Sequence, residues 1–148
     1  MPGYRAHLVG GAVACGLTLF LLKSYCSSVL VAAEWIMFSF AGSLFPDVDT
    51  KSKGQKLLYR FLFITLIVLA LQQNFMPMAV LSIVAVVPLV VKHRGLFHKF
   101  WFVVGLPVGV AGGLAMYAPS YAANVGFDTV FFVAGAVSHL FLDFVVKR

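Results

Sequence analysis

The sequence predicts an all-α polytopic membrane protein: a bundle of about six transmembrane helices with both termini cytoplasmic. Three observations lead there. Apolar residue types make up 61% of the chain and charged types 11%, with a mean hydropathy of +0.98, far from the roughly one-quarter charged composition of an ordinary soluble domain. Several apolar runs approach the roughly 20 residues that cross a hydrocarbon core. The cations, finally, alternate by loop. Arg5 precedes the first run; Lys51, Lys53, Lys56 and Arg60 follow the second; Lys92, Arg94 and Lys99 follow the fourth; Lys147 and Arg148 follow the sixth. With six crossings these all fall on one side and only Lys23 on the other, which is the distribution expected when basic residues collect on cytoplasmic loops. The net charge of +6 therefore reads as membrane orientation, and nucleic acid is not expected as a direct ligand. Residues 1–148 should form a single integral membrane domain with no room for a soluble module.

The expected spans run in order over residues 6–23, 29–46, 57–73, 75–91, 100–118 and 128–146. The first could be taken for a signal peptide, but Lys23 and Tyr25 interrupt the small-residue cleavage site such a segment needs, and "KSYC" makes a poor lipoprotein box. It is expected to remain as a helix. Cys15 and Cys26, eleven residues apart along it, would lie roughly 16 Å apart and cannot be bridged. The second span carries Glu34 toward its outer end and breaks at Pro46. The fourth and fifth contain Pro88 and Pro107, which membrane bundles accommodate as kinks. Along the fifth, Gly105, Gly109 and Gly113 form a smooth stripe suited to a close helix pair or a homo-oligomer seam. Ala12 and Gly16 on the first helix offer a matching partner. Tyr4, Trp101, Tyr117 and Tyr121 fall near span ends, as interfacial aromatics do. Asp128 opens the sixth span, where it reads as an N-cap; like Glu34 it needs no chemical role.

The remaining polar residues keep company with one another. "SLFPDVDTKS" offers Asp47 and Asp49 as an alternating pair emerging where the second helix breaks, a way to present hard oxygen ligands to a cation, although a solvated acidic loop has the same appearance. In "GAVSHLFLDF", His139 and Asp143 lie one turn apart on one helix face, inside an apolar span where such groups are costly and mark function; a buried hydrogen bond locking two helices is the plainer explanation. "KHRGLFHK", residues 92–99, holds His93 and His98 with Gly95 between them to bend the chain, and His7 stands at the mouth of the first helix. Under the six-span topology all four histidines and three of the five acids share the cytoplasmic side. Imidazole and carboxylate together suit Zn2+, with Mn2+ or Fe2+ as alternatives. Seven donors exceed the three or four ligands of one catalytic zinc, so one or two ions are expected, the surplus residues orienting ligands or moving protons.

His7, "LFPDVDTKS" (44–52), "HRGLFH" (93–98) and "SHLFLD" (138–143), taken together, resemble the bacterial family of membrane-bound metal-dependent hydrolases, also described as LexA-binding, inner-membrane-associated hydrolases. The resemblance spans His7 to Asp143. It implies a multi-pass protein of the bacterial inner membrane in which His7, Asp47, Asp49, His93, His98, His139 and Asp143 ligate metal, with Arg94 and Gly95 as motif companions. Phe97 and Lys99 stand where that family has threonine and serine, and fewer residues follow the final aspartate. More distantly, the pattern is similar to helical zinc-dependent phospholipases C and nucleases.

The function expected is a metal-dependent hydrolase at the cytoplasmic leaflet, acting on a phospholipid or another phosphodiester. Asp47 or Asp49 would take a proton from water, and Arg94, aided by Lys92 or Lys99, would neutralise charge on the phosphoryl group. Two alternatives stand beside it. A metal-ion transporter or channel would need polar groups along a path through the bilayer. A non-enzymatic membrane regulatory protein would close its ligands around a structural metal.

Overall fold

The computed structural model describes residues 3–48, 53–71, 73, 75, 78–79, 82, 85–86 and 96–146, and within them the chain is all-helical. Five helices are long: α1 (Tyr4–Leu22), α2 (Val29–Leu44), α3 (Lys53–Leu71), α4 (Phe100–Tyr117) and α5 (Ala122–Val146). A turn at Lys23–Tyr25 joins α1 to α2, and α2 starts where the Ser28 hydroxyl accepts the Val31 N–H at 3.3 Å. At its other end Pro46 converts the helix into a single tight turn, Phe45–Asp47.

Among the described residues, four helical stretches are long and apolar enough to cross a membrane: Tyr4–Tyr25, Val29–Asp47, Phe100–Tyr117 and Pro119–Val146. The helix α3 is of similar length, 19 residues, but it begins earlier than the sequence suggested and takes Lys53, Lys56 and Arg60 into its first turns, leaving 61–71 as its apolar part. Most of the expected fourth span, 75–91, lies outside the described residues.

The bundle helices are largely apolar on every face, so hydrophobicity does not mark the buried one; small and polar residues do. Large side chains such as Val13, Leu17, Phe20, Phe141 and Phe144 point outward, while glycine, serine and histidine occupy the contacts between α1, α2 and α5. Between α2 and α5 the backbones touch. A Cβ at Gly42 would run into the Phe132 carbonyl, and one at Gly135 into the Ser39 carbonyl. On the third side Gly11 lies against Ser43, and the Ser39 hydroxyl donates to the Gly11 carbonyl at 3.2 Å. Aromatic clusters fill in at both ends of this contact: Trp35 stacked on Phe131 at one, and Phe45, Phe97 and Phe132 at the other. The helix α4 packs on α5, burying Val103 completely.

Within the chain, the expected pairing of the α4 glycine stripe with α1 is not formed. Gly105, Gly109 and Gly113 face open space, Ala12 and Gly16 are exposed, and α1 packs on α2 and α5 rather than on α4. The close approach comes instead from Gly10 and Gly11 on α1, Gly42 on α2 and Gly135 on α5, a match that no four-residue spacing within one helix announces.

The contrast is measurable. Gly135→Ala should lower the thermal unfolding midpoint in detergent, at a cost on the order of 1–3 kcal/mol from overpacking against backbone. Gly109→Ala, with nothing within 4 Å, should leave it level or raise it slightly through helix propensity.

Candidate metal centre

Five of the residues singled out by sequence meet at one end of the bundle. His7 stands in the first turn of α1, Asp47 in the turn that ends α2, His98 just before α4, and His139 and Asp143 one turn apart on α5. Asp49, His93 and Arg94 lie outside the described residues.

Local chemistry explains how each arrives. In the tightened end of α2 the Phe45 N–H bonds back three residues to the Gly42 carbonyl. The next bond of that series would run from residue 46 to the Ser43 carbonyl, and Pro46 has no N–H to give. The acceptor at Ser43 is taken by His139, whose Nδ1 lies 2.7 Å from the carbonyl oxygen. Because a carbonyl can only accept, Nδ1 carries the proton, and in the neutral ring the Nε2 lone pair then faces the cluster. Fixing one imidazole nitrogen on a backbone carbonyl is how proteins orient histidine toward a metal. His98 is held differently. Its neighbour Phe97, fully buried, makes edge contacts with Phe45 at 5.6 Å and Phe102 at 5.2 Å, so one aromatic cluster ties together the segments carrying Asp47 and His98.

The distances are informative. His98 Nε2 lies 3.6 Å from Asp47 Oδ1 and 3.5 Å from Asp143 Oδ2; His139 Nε2 lies 3.8 Å and 3.6 Å from the same two oxygens. His7 Nε2 is 3.7 Å from Asp143 Oδ1, and its ring stacks on His139 with centroids 3.6 Å apart. All five separations exceed a charge-assisted hydrogen bond of about 2.7–2.9 Å. They approach instead the edge, about 3.3 Å, of a tetrahedron whose corners are about 2.0–2.1 Å from a central ion. Two triads satisfy a common-ligand geometry, each with donor atoms within 4.8 Å of one another: His7, His139 and Asp143, and Asp47, His98 and His139. His139 belongs to both, and Asp143 turns one oxygen toward His7 and the other toward His98 and His139.

Burial tests whether the donors suit a cation. His7 Nδ1, His139 Nε2 and Asp143 Oδ1 are buried without a hydrogen-bond partner among the described residues. Such orphans are costly in a low-dielectric interior, and a bound cation relieves that cost where it engages their lone pairs. The set has a closed side and an open one: the side chains of His7 and His139 are 1% and 0% exposed, whereas those of Asp47 and His98 are each 22% exposed.

Asp128 is placed otherwise than its sequence reading implied. The helix α5 begins at Ala122, so Asp128 lies inside it rather than at its N-cap, about three turns from His139 on the same face. It is 8% exposed, and its Oδ1 has no hydrogen-bond partner among the described residues. The aspartate at the mouth of a predicted span looked like a cap because Pro119 and Ser120 disguised an earlier helix start; Pro119–Tyr121 is in fact a turn leading straight into α5. Ser43, equally, could not be found by its side chain, since its contribution is a carbonyl.

Comparison with protein-family models matches residues 1–148 to one described as YdjM inner membrane protein. No curated protein and no solved structure matches the chain.

If Asp128 lacks a polar partner, removing its charge relieves desolvation. Asp128→Asn should then unfold in detergent at the same temperature as the parent or a few degrees higher; a clear fall in the midpoint would mean that the carboxylate is held by a partner.

Proposed function

Because the chain belongs to the YdjM inner membrane protein family, we propose that its histidine–aspartate cluster holds a divalent cation at the cytoplasmic face of that membrane and serves hydrolysis of a phosphodiester. The observation that carries this reading is the His139 ring, pinned through Nδ1 to the Ser43 carbonyl so that Nε2 meets two carboxylate oxygens and shares them with His98. Zinc is the first choice for such a donor set, with manganese or iron as alternatives. The alternation of basic residues supports six spans with both termini inside, and on that topology the cluster would lie on the cytoplasmic side.

Bound there, a divalent ion supplies Lewis acidity toward a phosphoryl oxygen and toward water. The residues do the rest. His7, His139 and Asp143 form the buried wall that fixes the geometry and keeps bulk water off one side. Asp47, on the accessible side, is placed to take a proton from the attacking water. Arg94, four residues before His98 in sequence, is the candidate to neutralise the phosphoryl oxygens as charge builds. Partial exposure of Asp47 supports catalysis over a structural metal, which would be enclosed on every side.

Purified in detergent, the parent protein should retain one or two equivalents of metal and hydrolyse a chromogenic phosphodiester in a chelator-sensitive manner. His139→Ala should lose the metal. Asp47→Ala and His98→Ala should lower turnover by at least about 100-fold, beyond the loss typical of a residue that only orients a ligand, with helical circular dichroism unchanged. Parental metal content in all three variants would overturn the proposal. Metal retention without turnover, combined with ion uptake into sealed vesicles, would replace hydrolysis by transport.

A further inference from the structure

The basic residues that precede the apolar part of α3 form a second polar feature, separate from the histidine–aspartate cluster. Lys56, Arg60 and Phe63 recur at four- and three-residue spacing and therefore share one helix face. With Gln55 and Tyr59 they line a shallow, open surface cleft of about 370 Å³. Lys56 and Arg60 are exposed, as is Phe63 at 64%. Every ion pair among the described residues involves a histidine, so neither cation of the cleft faces a carboxylate there. The cleft is braced on two sides: the Tyr59 hydroxyl donates to the Ala85 carbonyl at 2.9 Å, and the Gln55 side-chain amide donates to the Val48 carbonyl at 2.8 Å.

We propose that this cleft binds the headgroup phosphate of an anionic phospholipid, with Lys56 and Arg60 on the phosphate and Phe63 along the start of an acyl chain. The argument is one of matched polarity. Two cations stand where the charged first turns of α3 give way to an apolar stretch, and Phe63, Ile64 and Ile67 continue outward beyond them. An amphiphile with a negative head and a greasy tail complements that sequence of surfaces, whereas a free anion would use only its upper part. Arginine adds a planar fork suited to phosphate oxygens. Since Gln55 grips the carbonyl next to Asp47, the lipid would sit beside the segment that contributes to the cluster, but its binding does not depend on whether the cluster holds a metal.

The test uses the full chain in neutral detergent and three labelled probes: short-chain phosphatidylglycerol, short-chain phosphatidylcholine and inorganic phosphate, followed by equilibrium dialysis. Phosphatidylglycerol should bind at least about tenfold more tightly than either other probe. The double variant Lys56→Gln/Arg60→Gln should lose about thirtyfold in phosphatidylglycerol affinity, and Lys23→Gln should lose none. Phe63→Ser should weaken phosphatidylglycerol while leaving inorganic phosphate unchanged, and it decides the matter should the double variant misfold. Equal binding of the two lipids, parental affinity in the double variant, or inorganic phosphate as tight as phosphatidylglycerol would each overturn the proposal, the last by making this a site for a soluble anion.

Discussion

Contact between the backbones of α2 and α5 is the constraint from which the rest of this molecule follows. In a bilayer there is no hydrophobic gain in pressing one apolar helix on another, so association relies on close van der Waals approach and on polar bonds between helices. Gly42 and Gly135 permit that approach by presenting hydrogen where any other residue would present a methyl group against a carbonyl. Once the two helices are that near, the Ser43 carbonyl comes within reach of His139, and the bond between them can form. A larger residue at either glycine would separate the carbonyl from the imidazole and release the ring.

The proposed ligand cluster inherits an asymmetry from this arrangement. Its rigid half is built on α1 and α5, with His7 and His139 stacked and out of reach of solvent. Its accessible half comes from two short segments, the turn at Phe45–Asp47 and the chain just before α4, held together by the aromatic contact of Phe45 with Phe97. Phe97, completely buried, packs beneath the site against Phe45 and Phe102.

Much of this was legible in the sequence, for definite reasons. Composition and run length identify membrane helices because the bilayer demands them. His7, Asp47, His98, His139 and Asp143 drew attention because imidazoles and carboxylates are too costly in apolar surroundings to be there by accident, and the structure brings these five together. What escaped was set by tertiary contact. The regular glycine stripe of α4 makes no close contact within the chain, while the intramolecular close approaches come from glycines without four-residue spacing, matched across helices. Asp128 was misjudged because a proline-containing turn hid the start of α5, and the start of α3 was set too late because its first turns are basic. The role of Ser43 was invisible in principle, being a property of peptide backbone three residues before a proline.

The dispersal of the cluster along the chain has a consequence for biogenesis. Of the five long helices described, His7 lies on the first, and His139 and Asp143 on the last. Until α5 has entered the bilayer and docked, neither common-ligand triad can exist, because His139 belongs to both. A chain without α5 still carries Asp47 and His98, but the five proposed ligands converge only when α5 docks.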